Sequence, residues 1–130
     1  MQEPQPDAEV IEFATKLFGL AREGDAEQLA AYVDAGVDPN LSNHKGDSLV
    51  MLAAYHGHAA TVSALVARGA DPNRANDRGQ TPLAGAVFKD EPDVITALVA
   101  GGADPEAGQP SAVATAQMLE REDLLALLRP

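Results

Sequence analysis

The chain has no cysteine and no tryptophan among its 130 residues. Without cysteine it can form no disulfide framework, no thiolate nucleophile and no cysteine-based zinc site. A protein in any redox compartment can lack cysteine, so the absence excludes these chemistries and leaves the compartment open.

Aromatic side chains are scarce as well: two tyrosines and three phenylalanines make up 4% of the residues, whereas alanine and leucine are abundant. Such a mixture suits closely packed helices better than β-sheets, whose strands favour aromatic and β-branched residues. A hydrophobic content of 45% over this length is enough for one core. The composition therefore predicts a single all-α domain.

Basic residues are also few, with nine lysines and arginines against 20 acidic residues, and the formal net charge is −11. A protein of this charge repels the phosphates of nucleic acids and anionic lipid surfaces. We therefore expect neither nucleic acid nor a membrane as a partner.

Long apolar runs are missing too. No uninterrupted stretch approaches the roughly 20 residues that a bilayer crossing requires. The first residues, MQEPQPDAEV, contain neither the basic segment nor the apolar run of a signal peptide. For the chain as written, these absences predict a cytoplasmic protein.

One five-residue segment occurs three times, as GVDPN at 36–40, GADPN at 69–73 and GADPE at 102–106, each 33 residues after the last. A fixed interval of this length indicates a stack of similar supersecondary units. The same interval aligns further pairs of residues, including Gly46 with Gly79, Ser48 with Thr81, Val50 with Leu83, Ala53 with Ala86 and Leu65 with Leu98.

Each interval is predicted to hold two short helices. Apolar residues within 50–54 and 62–66 recur at spacings of three and four, which is the helical period. Ser48 and Thr81 are typical N-cap residues, and Gly57 suits the left-handed position that ends a helix. The DPN segment then turns the chain towards the next unit, because Asp and Asn bond nearby backbone and Pro fixes its own φ.

The run from Gly46 to His58 (GDSLVMLAAYHGH), followed by Val62, Leu65 and GADPN, resembles an ankyrin repeat, whose pattern is roughly GxTPLHLAAxxGHxxIVxLLxxGADPN. Residues 77–106 match the pattern again, and the resemblance extends from about residue 7 to the end. It implies an all-α ankyrin-repeat solenoid of about four helix-turn-helix units with short β-turn fingers.

We expect a single domain of four such units: an N-terminal cap at 7–40, full units at 41–73 and 74–106, and a truncated C-terminal cap at 107–130. Terminal units depart from the pattern because each has only one neighbour to cover it. In the last unit, the turn between the two helices is expected to be several residues shorter than in the full units.

The third unit has two anomalies. Gly85 lies inside a helix, where it costs around 1 kcal/mol relative to alanine, and we expect a packing reason for it. Asp90 replaces the glycine that joins the two helices, and Glu91-Pro92 follows it. We therefore expect this turn to differ in shape from the turn at Gly57.

The chain offers little for catalysis. It has three histidines, His44, His56 and His58, and no recognised catalytic or phosphate-binding motif. The resemblance implies that His58 caps the turn between two helices. We predict neither enzymatic activity nor a cofactor. The alternative is a metal- or small-ligand-dependent regulatory protein that uses His44 and His56 with a carboxylate such as Asp77, although this spacing matches no ligand signature.

In ankyrin proteins, the fingers and the inner sides of the first helices form one concave strip. Its variable positions, carried onto this chain, give the candidate protein-binding residues Arg22, His44, Lys45, Asp47, Met51, Tyr55, His56, Asp77, Arg78, Gln80, Phe88 and Lys89.

Tyr55 and Phe88 are 33 residues apart and are therefore expected to lie side by side as anchors for a partner. Lys45, Arg78 and Lys89 are expected to make the strip less acidic than the outer surface. We predict a monomeric scaffold that binds another protein. By family analogy it is an accessory or neutralising partner of an enzyme or toxin, or an assembly adaptor.

Overall fold

The computed structural model describes residues 7–130 and confirms the all-α class. Apart from two isolated bridges, Ser42–Ser48 and Gly108–Ser111, this part of the chain contains no β-structure. None of its helices combines the length and the hydropathy that a bilayer crossing requires. The helices are α1 (Ala8–Glu23), α2 (Ala26–Asp34), α3 (Leu49–Tyr55), α4 (Ala59–Ala67), α5 (Pro82–Phe88), α6 (Pro92–Ala100), α7 (Ala112–Met118) and α8 (Glu122–Leu128).

The helices form two layers. Consecutive helices pack as the pairs α1–α2, α3–α4, α5–α6 and α7–α8. The first helices of the pairs also pack on one another in chain order, and so do the second helices. The predicted unit boundaries after residues 40, 73 and 106 lie in the longer connections between these pairs.

Hydroxyl side chains cap the first helices of the last three units, as predicted, and the Asp7 carboxylate caps α1. The Ser48 hydroxyl accepts a hydrogen bond from the Met51 N–H at 3.0 Å, and Thr81 accepts one from the Ala84 N–H at 3.2 Å. Ser111 caps α7 in the same way. Each bond satisfies one of the N–H groups that have no partner within a helix.

One continuous core runs between the layers. Aliphatic side chains at matching positions of successive helices are removed from water, and each pair of helices covers the next, which is how a repeat protein builds its core. The largest fully buried members are Leu17, Leu29, Leu49, Leu65, Leu83, Ile95, Leu98 and Leu124.

The repeated GADPN loop both turns the chain and joins the units. The Asp71 carboxylate accepts a hydrogen bond from the Asn73 N–H at 2.8 Å, which closes the turn. The Asn73 side-chain oxygen then accepts one from the Asp104 N–H of the next loop at 2.6 Å, and Asn40 makes the same bond to the Asp71 N–H at 2.7 Å. In the last loop Glu106 replaces this asparagine, and its carboxylate lies 3.5 Å from the Arg129 guanidinium.

The fingers are bonded edge to edge through their backbones. The Asp77 N–H donates to the Lys45 carbonyl at 3.1 Å, and the Gln109 N–H donates to the Gly79 carbonyl at 3.1 Å. Because these bonds join backbone groups, they fix the spacing of the fingers whatever side chains the fingers carry.

The expected short turn in the last unit is wrong. Residues 119–121 connect α7 to α8, and the corresponding turns at 56–58 and 89–91 have the same length. The missing residues lie in the finger: six positions separate Pro105 from Ser111, against nine from Pro72 to Thr81. A finger projects from the stack and can be shortened, whereas a shorter turn would pull two core helices out of register.

The expected difference in shape at Asp90 is also wrong. Asp90 has φ 57° and Gly57 has φ 82°, so both are left-handed, and Glu120 has φ 55° at the same point of the last unit. The residue after each of them begins the second helix with ψ near 80°. The three turns therefore share one backbone course, and an acidic residue takes the role of glycine in two of them.

Candidate functional site: an inner groove

Three exposed apolar side chains occupy one equivalent position in successive units. Tyr55, Phe88 and Met118 are the last residues of α3, α5 and α7, and they are 42%, 66% and 72% exposed. Met118 follows Phe88 by only 30 residues because the last finger is shorter. All three line the same cavity, so the expectation that Tyr55 and Phe88 lie together is confirmed.

This cavity has a volume of about 370 Å³ and is predominantly apolar. Its floor consists of small residues of α5 and α7, and the ends of the first helices and the bases of two fingers form its walls. The residues that line it are Met51, Tyr55, Gln80, Ala84, Gly85, Phe88, Pro110, Thr115, Met118 and Leu119.

The cavity exists where a side chain is missing. Gly85 has Leu52 and Thr115 as its equivalents in the neighbouring units. A Cβ added at Gly85 would meet only the Met51 sulfur, at 3.9 Å, which is an ordinary contact. The expected packing reason for Gly85 is therefore wrong, because the surroundings would accept the Cβ of an alanine.

A second cavity of about 290 Å³ adjoins the first between two fingers. The two share Met51, Tyr55 and Gln80, and we call them together the inner groove. Met51 is buried and forms part of the wall. The second cavity is lined by Lys45, Asp47, Met51, Leu52, Tyr55, Asn76, Arg78 and Gln80.

Asn76 organises the finger at this cavity. Its side-chain nitrogen donates to the Asp47 carboxylate at 2.9 Å and to the Gln80 side-chain oxygen at 2.8 Å. Its oxygen accepts from the N–H groups of Arg78 and Gln80. Asn76 is absent from the predicted set, although its alignment with Asn43, 33 residues earlier, is a signal in the sequence. Asp47, predicted as a contact residue, is already bonded inside the protein.

Cationic groups gather where α1, α3 and α5 end. The Lys89 Nζ lies 4.8 Å from the centre of the Tyr55 ring, within cation–π distance. The pKa of His56 is lowered, first by partial burial and then by the positive charges of His58, Arg22 and Lys89. The structure thus brings together Arg22, His56 and Lys89, all predicted from the sequence.

Only part of the chain's positive charge is bonded internally. Five of the nine basic side chains have a partner: Lys16 bonds Tyr32, Arg68 bonds Asp34, Arg74 bonds Asn40 and Ser42, Arg121 bonds Asp90 and Asp123, and Arg129 pairs with Glu106. Within residues 7–130, no hydrogen bond or ion pair engages the side chains of the other four, which are Arg22, Lys45, Arg78 and Lys89. All four are predicted contact residues.

Five of the twelve predicted contact residues line neither cavity: Arg22, His44, His56, Asp77 and Lys89. His44 is exposed on a finger, and neither His44 nor Asp77 lines either cavity. His58 Nε2 lies 2.7 Å from the Arg22 carbonyl oxygen, so it donates a hydrogen bond that joins two units instead of capping its own turn. In the described part of the chain, no three His, Cys, Asp or Glu side chains converge on a possible metal position, so the proposed histidine site has no donor set there.

Comparison with known sequences identifies the architecture. The family profile described as ankyrin repeats, in three copies, matches residues 17–109, which is more than half of the chain. The chain is an ankyrin-repeat protein. Ankyrin repeats generally mediate protein–protein interactions, and members of this family are typically not enzymes.

A protein of Pseudomonas aeruginosa (strain PAO1), itself named as an ankyrin repeat protein, is 54% identical over 54 residues. The match covers 42% of this chain and 32% of the relative, so the similarity spans about a third of the relative's length. The name of this relative states no partner and no substrate.

Proposed function

We propose that this ankyrin-repeat chain is a non-enzymatic scaffold that binds another protein through the inner groove and the adjoining fingers. The observation that supports this most directly is the row formed by Tyr55, Phe88 and Met118 at one apolar cavity. Their exposed surface contributes nothing to the core, and covering it removes apolar area from water. Exposed aromatic side chains beside a concave apolar surface are typical anchors of protein interfaces.

The joints between units suit the groove to this role. Asparagine side chains bond successive loops, backbone groups bond successive fingers, and His58 bonds the end of α1. A surface held in this way loses little conformational entropy when a partner binds. In this proposal, the bound protein is an enzyme or toxin, and the chain is its accessory or neutralising partner.

The proposal predicts that Tyr55→Ala combined with Phe88→Ala releases the partner without unfolding the scaffold. Each side chain is exposed, so its loss removes contact area at the groove and little of the core. We expect unchanged helical circular dichroism and loss of the protein that the tagged wild-type chain captures from cells of its source organism.

The matched control is Val10→Ala combined with Ile11→Ala. These residues are 62% and 51% exposed on α1 and line neither cavity. This variant should capture the partner as the wild type does. Retention of the partner by the Tyr55/Phe88 double variant, or its loss from the control, would show that binding uses another face.

A further inference from the structure

The gap at Gly85 is an opening that the fold itself does not require. Gly19, Leu52, Gly85 and Thr115 occupy one position in the four first helices. The Leu52 side chain fills this position and is only 7% exposed, whereas Gly85 leaves it open. Glycine in a helix costs about 1 kcal/mol relative to alanine, and no neighbour prevents a Cβ here. Unlike Gly19, Gly85 lies beside exposed apolar side chains that line the same cavity, so this opening is available to a group from a partner.

The space suits a single large apolar side chain. The cavity is near the lower limit of ligand pockets, which is about 300 Å³. The exposed Phe88 and Met118 stand at its edge, so a group that enters between them covers their apolar surface as well as the helix floor.

The charges around the groove indicate what accompanies that side chain. Lys45 and Arg78 border the groove from the fingers, and Arg22 and Lys89 lie where the first helices end. Two acidic residues on this side are bonded internally, Asp47 to Asn76 and Asp90 to Arg121. Of the four basic side chains without a bonded partner in residues 7–130, two thus line the groove and two lie at the ends of α1 and α5, which favours carboxylates on this face of a chain of net charge −11.

We infer that the inner groove binds an acidic segment of a partner protein, with one large apolar side chain inserted over Gly85 and flanking carboxylates facing Arg22, Lys45, Arg78 and Lys89. This inference rests on the proposed function and specifies the partner's chemistry. A second copy of this chain is disfavoured as the occupant, because two molecules of net charge −11 repel each other.

Three capped peptides test the inference by titration into the ¹⁵N-labelled chain. They are DEDFDED, the same peptide with alanine in place of phenylalanine, and KRKFKRK. DEDFDED should bind at least about tenfold more tightly than the alanine peptide and should shift the amide signals of the residues that line the groove. KRKFKRK is positively charged, so the negatively charged protein as a whole attracts it. It should nevertheless leave the amide signals of the groove unshifted.

Two substitutions test the gap. Gly85→Leu places at this position the residue that unit two carries as Leu52. It should raise the midpoint of urea unfolding and weaken DEDFDED binding at least about tenfold, to the level of the alanine peptide. The control Gly19→Ala changes the equivalent residue of α1, where an added Cβ meets nothing within 4 Å and which lines neither cavity. It should raise stability and leave binding unchanged.

A matched pair of charge variants tests the cations. Lys45→Gln and Lys16→Gln change the net charge equally, but Lys16 is bonded to Tyr32, away from both cavities. Only Lys45→Gln should weaken DEDFDED binding, by about threefold or more.

Any of four results would overturn the inference: no binding of DEDFDED at about 1 mM, unaltered binding by Gly85→Leu, toluene binding with no gain from flanking carboxylates, or self-association that Gly85→Leu abolishes. The third would assign the cavity to a small apolar ligand, and the fourth to a second copy of the chain. The proposed function is judged separately. If Gly85→Leu still captures the cellular partner but the Tyr55/Phe88 double variant does not, the scaffold role stands and this inference fails.

Discussion

Among single residues, His56 reports on the charges that surround it. Burial and the nearby His58, Arg22 and Lys89 all disfavour its protonated form, so its pKa lies below the ordinary value of 6.5. Between the folded-state pKa and 6.5, the unfolded chain binds more protons than the folded one. The free energy of unfolding therefore increases as the pH rises through this window. The contribution that the neutral His56 makes to it is lost as the pH falls through the window.

We expect His56→Gln to reduce the loss of stability on acidification. Without the imidazole, the proton uptake that favours the unfolded chain at this position disappears. Urea unfolding at about pH 7.5 and about pH 5 should give a smaller difference in unfolding free energy for the variant than for the wild type. His44→Gln removes an exposed histidine outside both cavities and should behave as the wild type does. Equal pH dependence in all three proteins would contradict the lowered pKa.

The positions of groove residues were predictable from the sequence where these residues recur at the 33-residue interval. Tyr55 and Phe88 are 33 residues apart, and this spacing alone predicts that they lie side by side, as they do at one cavity. Met118 was not predicted, because the shortened finger moves it out of that interval. The role of Gly85 was also hidden: a glycine letter does not show whether its neighbours leave room for a side chain, and only the stacked helices decide that.

Among the elements, the turns between paired helices all need a left-handed residue. Gly57 meets this need without strain, whereas Asp90 and Glu120 adopt positive φ despite their side chains. Asp90 also forms an ion pair with Arg121 at 3.0 Å across two units. Arg121 in turn lowers the pKa of Asp123 to about 2 through a direct hydrogen bond.

Glu120→Gly should stabilise the protein. The left-handed conformation costs a residue with a Cβ about 1–2 kcal/mol, and the greater freedom of glycine in the unfolded chain offsets about 0.4–1 kcal/mol of that gain. A net increase of about 0.5 kcal/mol in the free energy of unfolding is expected by chemical denaturation.

The control for this prediction is a glycine replacement at Gly57, the left-handed residue of the equivalent turn in the second unit. Gly57→Ala should destabilise, because alanine would have to adopt φ 82°, the left-handed conformation that a Cβ disfavours. A loss of stability in Glu120→Gly would mean that the glutamate side chain makes contacts that outweigh the backbone strain.

The helices and their caps were predictable because their signals are local. The Ser48, Thr81 and Ser111 hydroxyls bond N–H groups three residues away, and the apolar period is contained in each helix. The length of the last turn was not predictable in this way. The sequence shows that three residues are missing from the last unit, but not whether they are missing from the turn or from the finger. The packing of α7 on α5 and of α8 on α6 requires them to be missing from the finger.

In the molecule as a whole, the excess of acidic residues acts against compactness, while two basic side chains without a bonded partner in residues 7–130, Lys45 and Arg78, line the groove. With a formal net charge of −11, like charges repel across the folded surface, and added salt screens this repulsion. Binding of an acidic segment to the groove depends on attraction, which salt also screens.

The two effects of salt should therefore have opposite signs. Raising NaCl from about 0.01 M to about 1 M shortens the Debye length from about 30 Å to about 3 Å. The melting temperature, followed by circular dichroism, should rise by a few degrees. The affinity for DEDFDED should fall over the same range. A melting temperature that falls with salt would show that ion pairs such as Arg68–Asp34 outweigh the general repulsion.

The architecture of the whole molecule was predictable because a repeat interval is a property of the entire chain. The shape of the groove was not, since it depends on side chains that meet only after the units stack.

The asparagine that joins successive loops has a consequence for how such a chain can grow. The Asn73 amide bonds the main chain of the following loop, so the joint does not depend on which side chains that loop displays. A further 33-residue module grafted at this joint could dock by the same bonds. The binding surface could then be altered or extended one module at a time, while the hydrogen bonds that join the modules stay the same.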